Sequence, residues 1–599
     1  MNFKKIIKYL PLFFTLLFAP ATVRLAAVEI PESVALYWTG VPVDYDIFSF
    51  TKSTILIVAA IIIFVIMFFT FDFKKLKSMK KYFIPVAIMF VFALISTFTG
   101  GNSDIALSGA PTRYEGLYTY ISYFLIYIYC LQLDTDNSLS KAVITLLGIF
   151  TFLTFLVGAS QYFNKDFFLT DFAKKIYIPS EYAQFRETTK RVEYNFRNIY
   201  AFTSHYNYMA MLTSMLSLFW LTNFSLEKEK KYKALSLICS AMSLFLLFGS
   251  NARSGIVAFA GGLVLVFFTF IKKLYKNKFT FIFIALLAAG GAYVYSNTNM
   301  MARLGSLIND IKGLSSISTV ELHDVIPLKE IAVGDDFYLI NFDNVQIKYD
   351  KTKDEFFDAN NNIIEINPIQ NDNITFKDPK YSNFNITLIK QSNKDTDETK
   401  LYHNVNLPIG TFSFEIGEKV VFVNHLGIPR DLSMLDTKEA YNYDLLGSGR
   451  GYITRKCIPL LKSSLLKGYG PDSFIKIFNQ DDIYTKTYVY NDPNQIVDKP
   501  HNLYILTAVN FGVPALIAFL SITVMLAFDY AKYYSKNKIA SEDIIGIAAL
   551  CGVLAYMMSG FFNDSVNAIA PIYWTLLGIS ANSIIHLKSE SKKEIKHKS

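Results

Sequence analysis

The sequence predicts an all-α polytopic membrane protein of about twelve transmembrane helices with a β-rich extracytoplasmic insert. Three observations predict it. Of 599 residues, 52% are hydrophobic and 18% charged, with a mean hydropathy of +0.29. A soluble domain carries about a quarter charged residues. The apolar residues collect in blocks of roughly 17–25, the length that crosses a bilayer as helix. One internal stretch, about 325–425, abandons that pattern for Asn, Asp, Thr and alternating apolar residues, the period of strands. A soluble globular enzyme, a disordered chain and a disulfide-stapled secreted domain are thereby excluded.

The first element is Met1–Thr22, with Lys4, Lys5 and Lys8 ahead of the run Tyr9–Ala19. Ala19-Pro20-Ala21 resembles a signal-peptide cleavage site, but an uncleaved helix is the preferred reading. Either way, residues 23–53 are expected outside. Further apolar blocks run at about 54–71, 82–98, 116–132, 142–159, 198–222, 234–249, 256–271, 279–295, 502–528, 543–561 and 568–586. Lys74–Lys81 holds five Lys and no acid; Glu227–Lys233, Lys272–Lys278, Lys532–Lys538 and Lys588–Ser599 are also Lys-rich. The alternate loops Thr99–Tyr114 and Asn563–Ala568 hold almost none. The positive-inside rule then puts both termini in the cytoplasm. The net charge of +8 follows these loops, so it reports topology and not nucleic-acid binding.

The chain divides accordingly. Residues 1–295 form an N-terminal bundle of about nine helices with an outer loop at 160–197. Residues 296–500 are extracytoplasmic, with the β-rich domain at about 325–425 and an interfacial helix at about 452–467. Residues 501–587 hold about three more helices, and 588–599 form a basic tail. In the β-rich domain, Phe337–Ile340, Val345–Tyr349, Asn385–Ile389 and Lys419–Val423 read as strands of a small sandwich or barrel. The four cysteines, Cys130, Cys239, Cys457 and Cys551, form no metal-type or disulfide pattern and read as inert.

The arginines are unevenly placed. Only ten exist, at 24, 113, 186, 191, 197, 253, 303, 430, 450 and 455. All lie on the expected outer side or at its membrane boundary, whereas the cytoplasmic clusters use Lys. Either cation satisfies the topology rule. Arginine's planar fork grips phosphate or carboxylate in a bidentate way that Lys cannot. An anionic ligand on the outer face is the expectation.

Arg253 sits in Gly249-Ser250-Asn251-Ala252-Arg253-Ser254-Gly255, between two apolar blocks. A charge so near hydrocarbon faces a bundle interior or cavity; the alternative is an arginine snorkelling at the interface. Arg450 lies in Leu446-Gly447-Ser448-Gly449-Arg450-Gly451, where glycines allow close backbone approach to a ligand. An amphipathic stretch, Tyr452–Lys467, follows and stops at Gly468-Tyr469-Gly470-Pro471-Asp472. Then Asp498-Lys499-Pro500-His501-Asn502 opens the block at 502–528. His501 is the side chain most ready to move a proton near neutral pH; taken alone, a structural histidine is the alternative.

Other charged groups have two readings each. Asp481-Asp482 is a metal-binding pair or a solvated loop. Arg113 and Glu115 form an ion pair or line a ligand groove. Lys174, Lys175, Arg186, Lys190, Arg191 and Arg197 form a basic outer loop that touches lipid headgroups or docks substrate, with Arg197, ahead of a membrane helix, the best placed.

As a set, these motifs resemble the O-antigen ligase and polymerase superfamily of bacterial membrane glycosyltransferases. The resemblance is strongest across 445–520, where Gly447-Ser448-Gly449-Arg450, Gly468-Tyr469-Gly470-Pro471-Asp472-Ser473-Phe474 and Lys499-Pro500-His501-Asn502-Leu503-Tyr504 follow in family order. Ser250–Gly255 is a second match. Arg113-Tyr114-Glu115-Gly116-Leu117 resembles the form found in Gram-positive bacteria, and Ser204-His205-Tyr206-Asn207-Tyr208 resembles the family's Asn-rich helix start. Many relatives carry Trp soon after the Gly-Arg pair; here Thr454 stands near that position.

The resemblance implies a GT-C-like fold in the bacterial plasma membrane. It implies transfer of a glycan from an undecaprenyl diphosphate carrier to an acceptor hydroxyl on the outer face, by an inverting reaction that needs no cofactor and no metal. It casts His501 as the base and Arg253 and Arg450 as diphosphate-binding residues. Arg113, Glu115, Arg197, Asn207, Arg455, Gly470, Asp498, Lys499 and Asn502 are supporting candidates. The partners implied are the lipid-linked glycan, a glycan, wall or protein acceptor, and the lipid bilayer. Polymerase, ligase and protein O-oligosaccharyltransferase all stay open. A lipid-linked glycan transporter is the competing class, although transporters carry charge at mid-membrane depth and these helix cores hold almost none.

Overall fold

The computed structural model describes all residues except 1–2, 36–37, 39, 189–197, 275–316, 393–398, 431–438 and 599. The described part is mostly helical with smaller β sheets. Eight of its helices are long and apolar enough to cross a membrane: Phe50–Thr70, Phe73–Thr99, Asn137–Tyr162, Tyr206–Leu226, Lys230–Gly249, Arg253–Phe270, Val513–Tyr534 and Ser541–Ser559. The block expected at 279–295 lies outside the described residues, as do Lys190, Arg191, Arg197 and Arg303.

The remaining expected spans differ for physical reasons. Ile7–Ala21 is apolar but short, and a π-helical turn at Phe14–Phe18 interrupts it. Leu117–Gln132 has only 16 residues, below the roughly 20 that a bilayer needs. Ala570–Lys598 is long but carries Ser580, Asn582 and Ser583 on its buried side. The block at 502–528 is two helices, Leu503–Phe511 and Val513–Tyr534. Gly512 breaks it with φ +95° and ψ 160°, a region only glycine enters freely. Pro514 then starts the second helix, where its missing N–H costs nothing.

Helix Tyr206–Leu226 is central. It packs on Lys230–Gly249, Arg253–Leu274 and Ile544–Ser559, and small residues let the backbones approach. A Cβ at Gly262 would lie 2.8 Å from the Leu218 side chain and 3.0 Å from Ala555 Cα. Without a hydrophobic force between helices in lipid, such close packing supplies the association.

The helix ends sort into two groups. At one end, lysines meet buried or shared acids. Asp529 accepts Lys81, Lys588 and the Tyr82 hydroxyl, each at 2.6 Å, and Asp134 pairs with Lys8 and Lys75 at 3.0 and 3.2 Å. At the other end, the arginine-bearing motifs gather beneath the β-rich segment.

That segment is a sandwich of two antiparallel sheets. Leu328–Gly334, Phe337–Phe342, Val345–Asp350 and Glu355–Phe357 form one as a meander. Asn373–Ile374, Asn385–Ser392, Thr399–Leu407, Gly410–Ile416 and Val420–Val423 form the other. Alternating side chains fill the space between them. Tyr338 stacks on Phe414 at 4.1 Å, and Ile340, Val405, Phe412 and Phe422 are buried beside them. The sandwich rests on helix Ile483–Tyr490 through buried Ile483 and Tyr484, with the Tyr484 hydroxyl accepting from Ile331 N at 3.0 Å.

Candidate active site

Two motifs far apart in the chain fold into one buried knot. The turn before helix Leu117–Gln132 takes positive φ at Gly109, Thr112 and Tyr114. This aims Ala110 N, Glu115 N and Arg113 Nε at a single carboxylate, that of Asp472, at 3.1, 2.9 and 3.0 Å. Asp472 is presented by the Gly470-Pro471 turn. Gly470 has φ +99°, and a Cβ there would lie 2.8 Å from Ala106 Cβ. Arg113 therefore pairs with Asp472, and not with Glu115. The Glu115 Oε1 instead accepts from the Tyr123 hydroxyl at 2.6 Å and Ser565 Oγ at 2.9 Å. Burial and neighbouring Asp472 push its carboxyl up to about 7. The pairing through Nε leaves Arg113 Nη1 and Nη2 buried without a hydrogen-bond partner. Such donors are costly unless a ligand meets them.

His501 stands at the start of helix Leu503–Phe511 with φ +52°. Asn502 caps that helix, its side chain accepting from Tyr504 N and Ile505 N at 3.0 and 3.1 Å. The Asn502 backbone N–H donates to Asp564 Oδ1 at 3.1 Å. This seats His501 Nδ1 3.4 Å from Asp564 Oδ2. Asp564 is wholly buried. Burial acts to raise its pKa, but the His501 contact and the charges of Arg113 and Lys499 prevail and hold it below the usual carboxylate range. The two atoms are within ion-pair range without meeting hydrogen-bond geometry; a carboxylate beside Nδ1 leaves Nε2 as the nitrogen turned away from it. The imidazole is about one-third exposed, so it meets both the buried acid and open space.

That space is a cavity of about 380 Å³ bordered by Arg113, His205, Asn207, Lys499, His501 and Asn567. His205 caps helix Tyr206–Leu226, with Nδ1 accepting from Asn207 N at 3.1 Å. Burial, with Lys499, His501 and Arg450 nearby, pushes His205 down to about 4. It is neutral near pH 7. Lys499 pairs with Asp498 at 3.2 Å and lies 5.6 Å from the Tyr208 ring centre. Burial opposes the Lys499 charge, but Asp498 outweighs it and raises the pKa.

Arg450 follows three residues with positive φ, Gly447, Ser448 and Gly449. A Cβ on Gly449 would lie 2.5 Å from the Tyr490 ring. The fold-back lets Arg450 Nη1 donate to Gly447 O at 3.0 Å, while Nε is buried without a partner. Burial lowers the Arg450 pKa and the Arg253 charge lowers it further, against the pull of Asp564. Two like charges close enough to act on each other favour an anion placed beside them. Arg253 begins helix Arg253–Leu274, just after Asn251 at φ +56°.

Other candidates are engaged elsewhere. Arg455 makes a fork-to-fork pair with buried Asp444 at 2.8 and 2.7 Å, so its guanidinium is taken up in holding the segment 442–455. The Asp481-Asp482 pair is divided: Asp481 meets Arg430 at 3.2 Å and Asp482 meets Lys456 at 2.5 Å. In the basic loop, Lys174 donates to Arg186 O and Arg186 to Ile178 O, both at 2.8 Å.

Asp564, Asp472 and His205 are the site residues that reading the chain for function passed over. Asp564 had a signal: it is the lone acid in a short polar loop between two apolar blocks. Asp472 and His205 were visible as motif members without a role. No protein-family model matches the chain, and no curated protein matches it.

Proposed function

We propose that the protein is a membrane glycosyltransferase that moves a glycan from a polyprenyl diphosphate carrier to an acceptor hydroxyl. The observation that supports this above all is His501 beside the buried Asp564 carboxylate, at the rim of a cation-lined cavity. His501 Nε2 takes the proton of the acceptor hydroxyl as its oxygen bonds to the anomeric carbon. The bond from that carbon to the diphosphate oxygen breaks, and its electron pair leaves with the diphosphate. Asp564 holds the imidazole and stabilises the imidazolium that forms. A positioned base of this kind contributes about 10²–10⁴-fold.

Negative charge develops on the leaving diphosphate. Arg253, Arg450, Lys499 and the unpartnered Nη groups of Arg113 are fixed donors for it, and such donors stabilise the transition state more than the ground state. The charges collect at one end of the bundle, where a lipid carrier's headgroup would lie. That end faces outward in this proposal.

The test is His501→Ala in native cells, with carrier-linked and finished surface glycans extracted and sized. Carrier-linked glycan is expected to accumulate while product falls. Single repeats would mean a polymerase, and long chains a ligase. Both pools matching wild type at equal protein level would sink the transferase and favour a transporter.

A further inference from the structure

A second, larger cavity of about 580 Å³ lies between Ile30, Glu32, Ala35 and Gly40-Val41-Pro42 on one side and the outer face of the five-stranded sheet on the other. The sheet register explains its lining. Asn404 pairs across strands with Ser413, and Tyr402 with Ile389. These four project away from the sandwich core, whose interior is filled by the alternate residues Val405, Phe412 and Phe414. The loop seats on the sandwich where Gly40, at φ +64°, meets Leu426; a Cβ at Gly40 would lie 2.5 Å from that side chain.

The chemistry of the lining selects a ligand class. Asn404, Ser413 and Gln391 carry uncharged hydrogen-bonding groups, and Asn and Gln both donate and accept. Val41, Ile389 and Leu426 supply apolar wall beside them. Among the described residues of the lining, Glu32 is the only acid, and there is no Lys or Arg. Burial and the Arg430 charge lower the pKa of His425, the remaining basic group. Among the described lining residues, a phosphate or an acidic chain meets no Lys or Arg. Neutral hydroxyls set on an apolar ring fit both kinds of wall.

One hairpin borders both this cavity and that of His501. Strands Ala26–Glu29 and Val43–Asp46 pair as a hairpin. Its loop end borders this cavity, and its far end, Tyr45–Ser49, borders the cavity of His501. Four residues of strand span roughly 13 Å. We infer that the cleft between this loop and the sandwich binds a neutral glycan, the acceptor chain whose end reaches His501. This rests on the transferase function proposed above.

The experiment uses the full chain in nanodiscs, titrated with the neutral oligosaccharide fraction released from the native cell's surface polysaccharide. Wild type is expected to bind. The double variant Asn404→Ala/Ser413→Ala is expected to weaken binding at least about tenfold, the loss of two or more net hydrogen bonds. Gln391→Ala, exposed at the rim, serves if that variant fails to fold, with a loss of about threefold expected. His501→Ala is expected to bind as wild type does. No binding by wild type, or unchanged affinity in the cleft variants, overturns the proposal. If the cleft binds glycan while His501→Ala leaves both cellular glycan pools unchanged, the transferase function fails and the cleft stands.

Discussion

At the scale of single residues, the site is built from shared carboxylates. Asp564 takes the Asn502 backbone N–H on one oxygen and faces His501 with the other. Asp564→Asn keeps the shape but removes the charge that faces the imidazole and stabilises its protonated form. Turnover is expected to fall by about 10²–10⁴-fold at unchanged protein level, read as product formed by purified protein from a polyprenyl diphosphate donor. Glu115 gives a pH signature. Its folded pKa is raised, to about 7, so ionising it opposes folding. Stability from this group is complete below pH ~4.5 and is lost as pH rises toward 7, by on the order of 3 kcal/mol. Glu115→Gln keeps an acceptor for Tyr123 and Ser565 and removes the titration. The melting temperature of this variant is expected to vary less between pH 5 and 8 than that of wild type; an identical pH profile would contradict the assignment.

At the scale of elements, turns with positive φ place the chemistry. Three consecutive such residues, Gly447 to Gly449, fold the turn so that Arg450 donates back to Gly447 O. The Gly470-Pro471 turn delivers Asp472 to Arg113, and Gly512 ends the helix that His501 begins. Gly449→Ala would meet both an unfavourable φ of +89° and the Tyr490 ring. Activity is expected to fall at least about tenfold, because a displacement near 1 Å at a reacting centre costs up to about 10². Global stability is expected to drop by only about 1–3 kcal/mol. Wild-type turnover in this variant would show that Arg450 tolerates displacement. The same turns were partly legible in the sequence as Gly-Pro and Gly-rich runs, whereas their handedness was not.

At the scale of the whole molecule, charge divides the two ends of the bundle. Lysines close one end on Asp529 and Asp134, and the arginines of the candidate site occupy the other. The orientation can be tested directly, because all four native cysteines are buried and give little background labelling. Asn360→Cys, on the sandwich, is expected to react with a membrane-impermeant maleimide in intact cells. Lys538→Cys, at the lysine end, is expected to react only after lysis. The reverse pattern would invert the topology and move the candidate site to the cytoplasmic side.

The sequence by itself determined that the chain is largely apolar helix and placed four of the nine strands of the sandwich, those beginning near 337, 345, 385 and 420. Hydropathy, strand alternation and glycine spacing are local, so they survive without coordinates. The tertiary structure decided which side chains meet. Arg113 finds its carboxylate 359 residues away in Asp472, and His501 finds Asp564 in a loop beyond two further helices. It also forks Arg455 onto Asp444 and gives Asp481 and Asp482 different partners. Nothing local distinguishes an arginine with a buried acid already in its fork from one whose fork is open. Burial and partnership are properties of the packed bundle, set when distant turns are brought to one end of it.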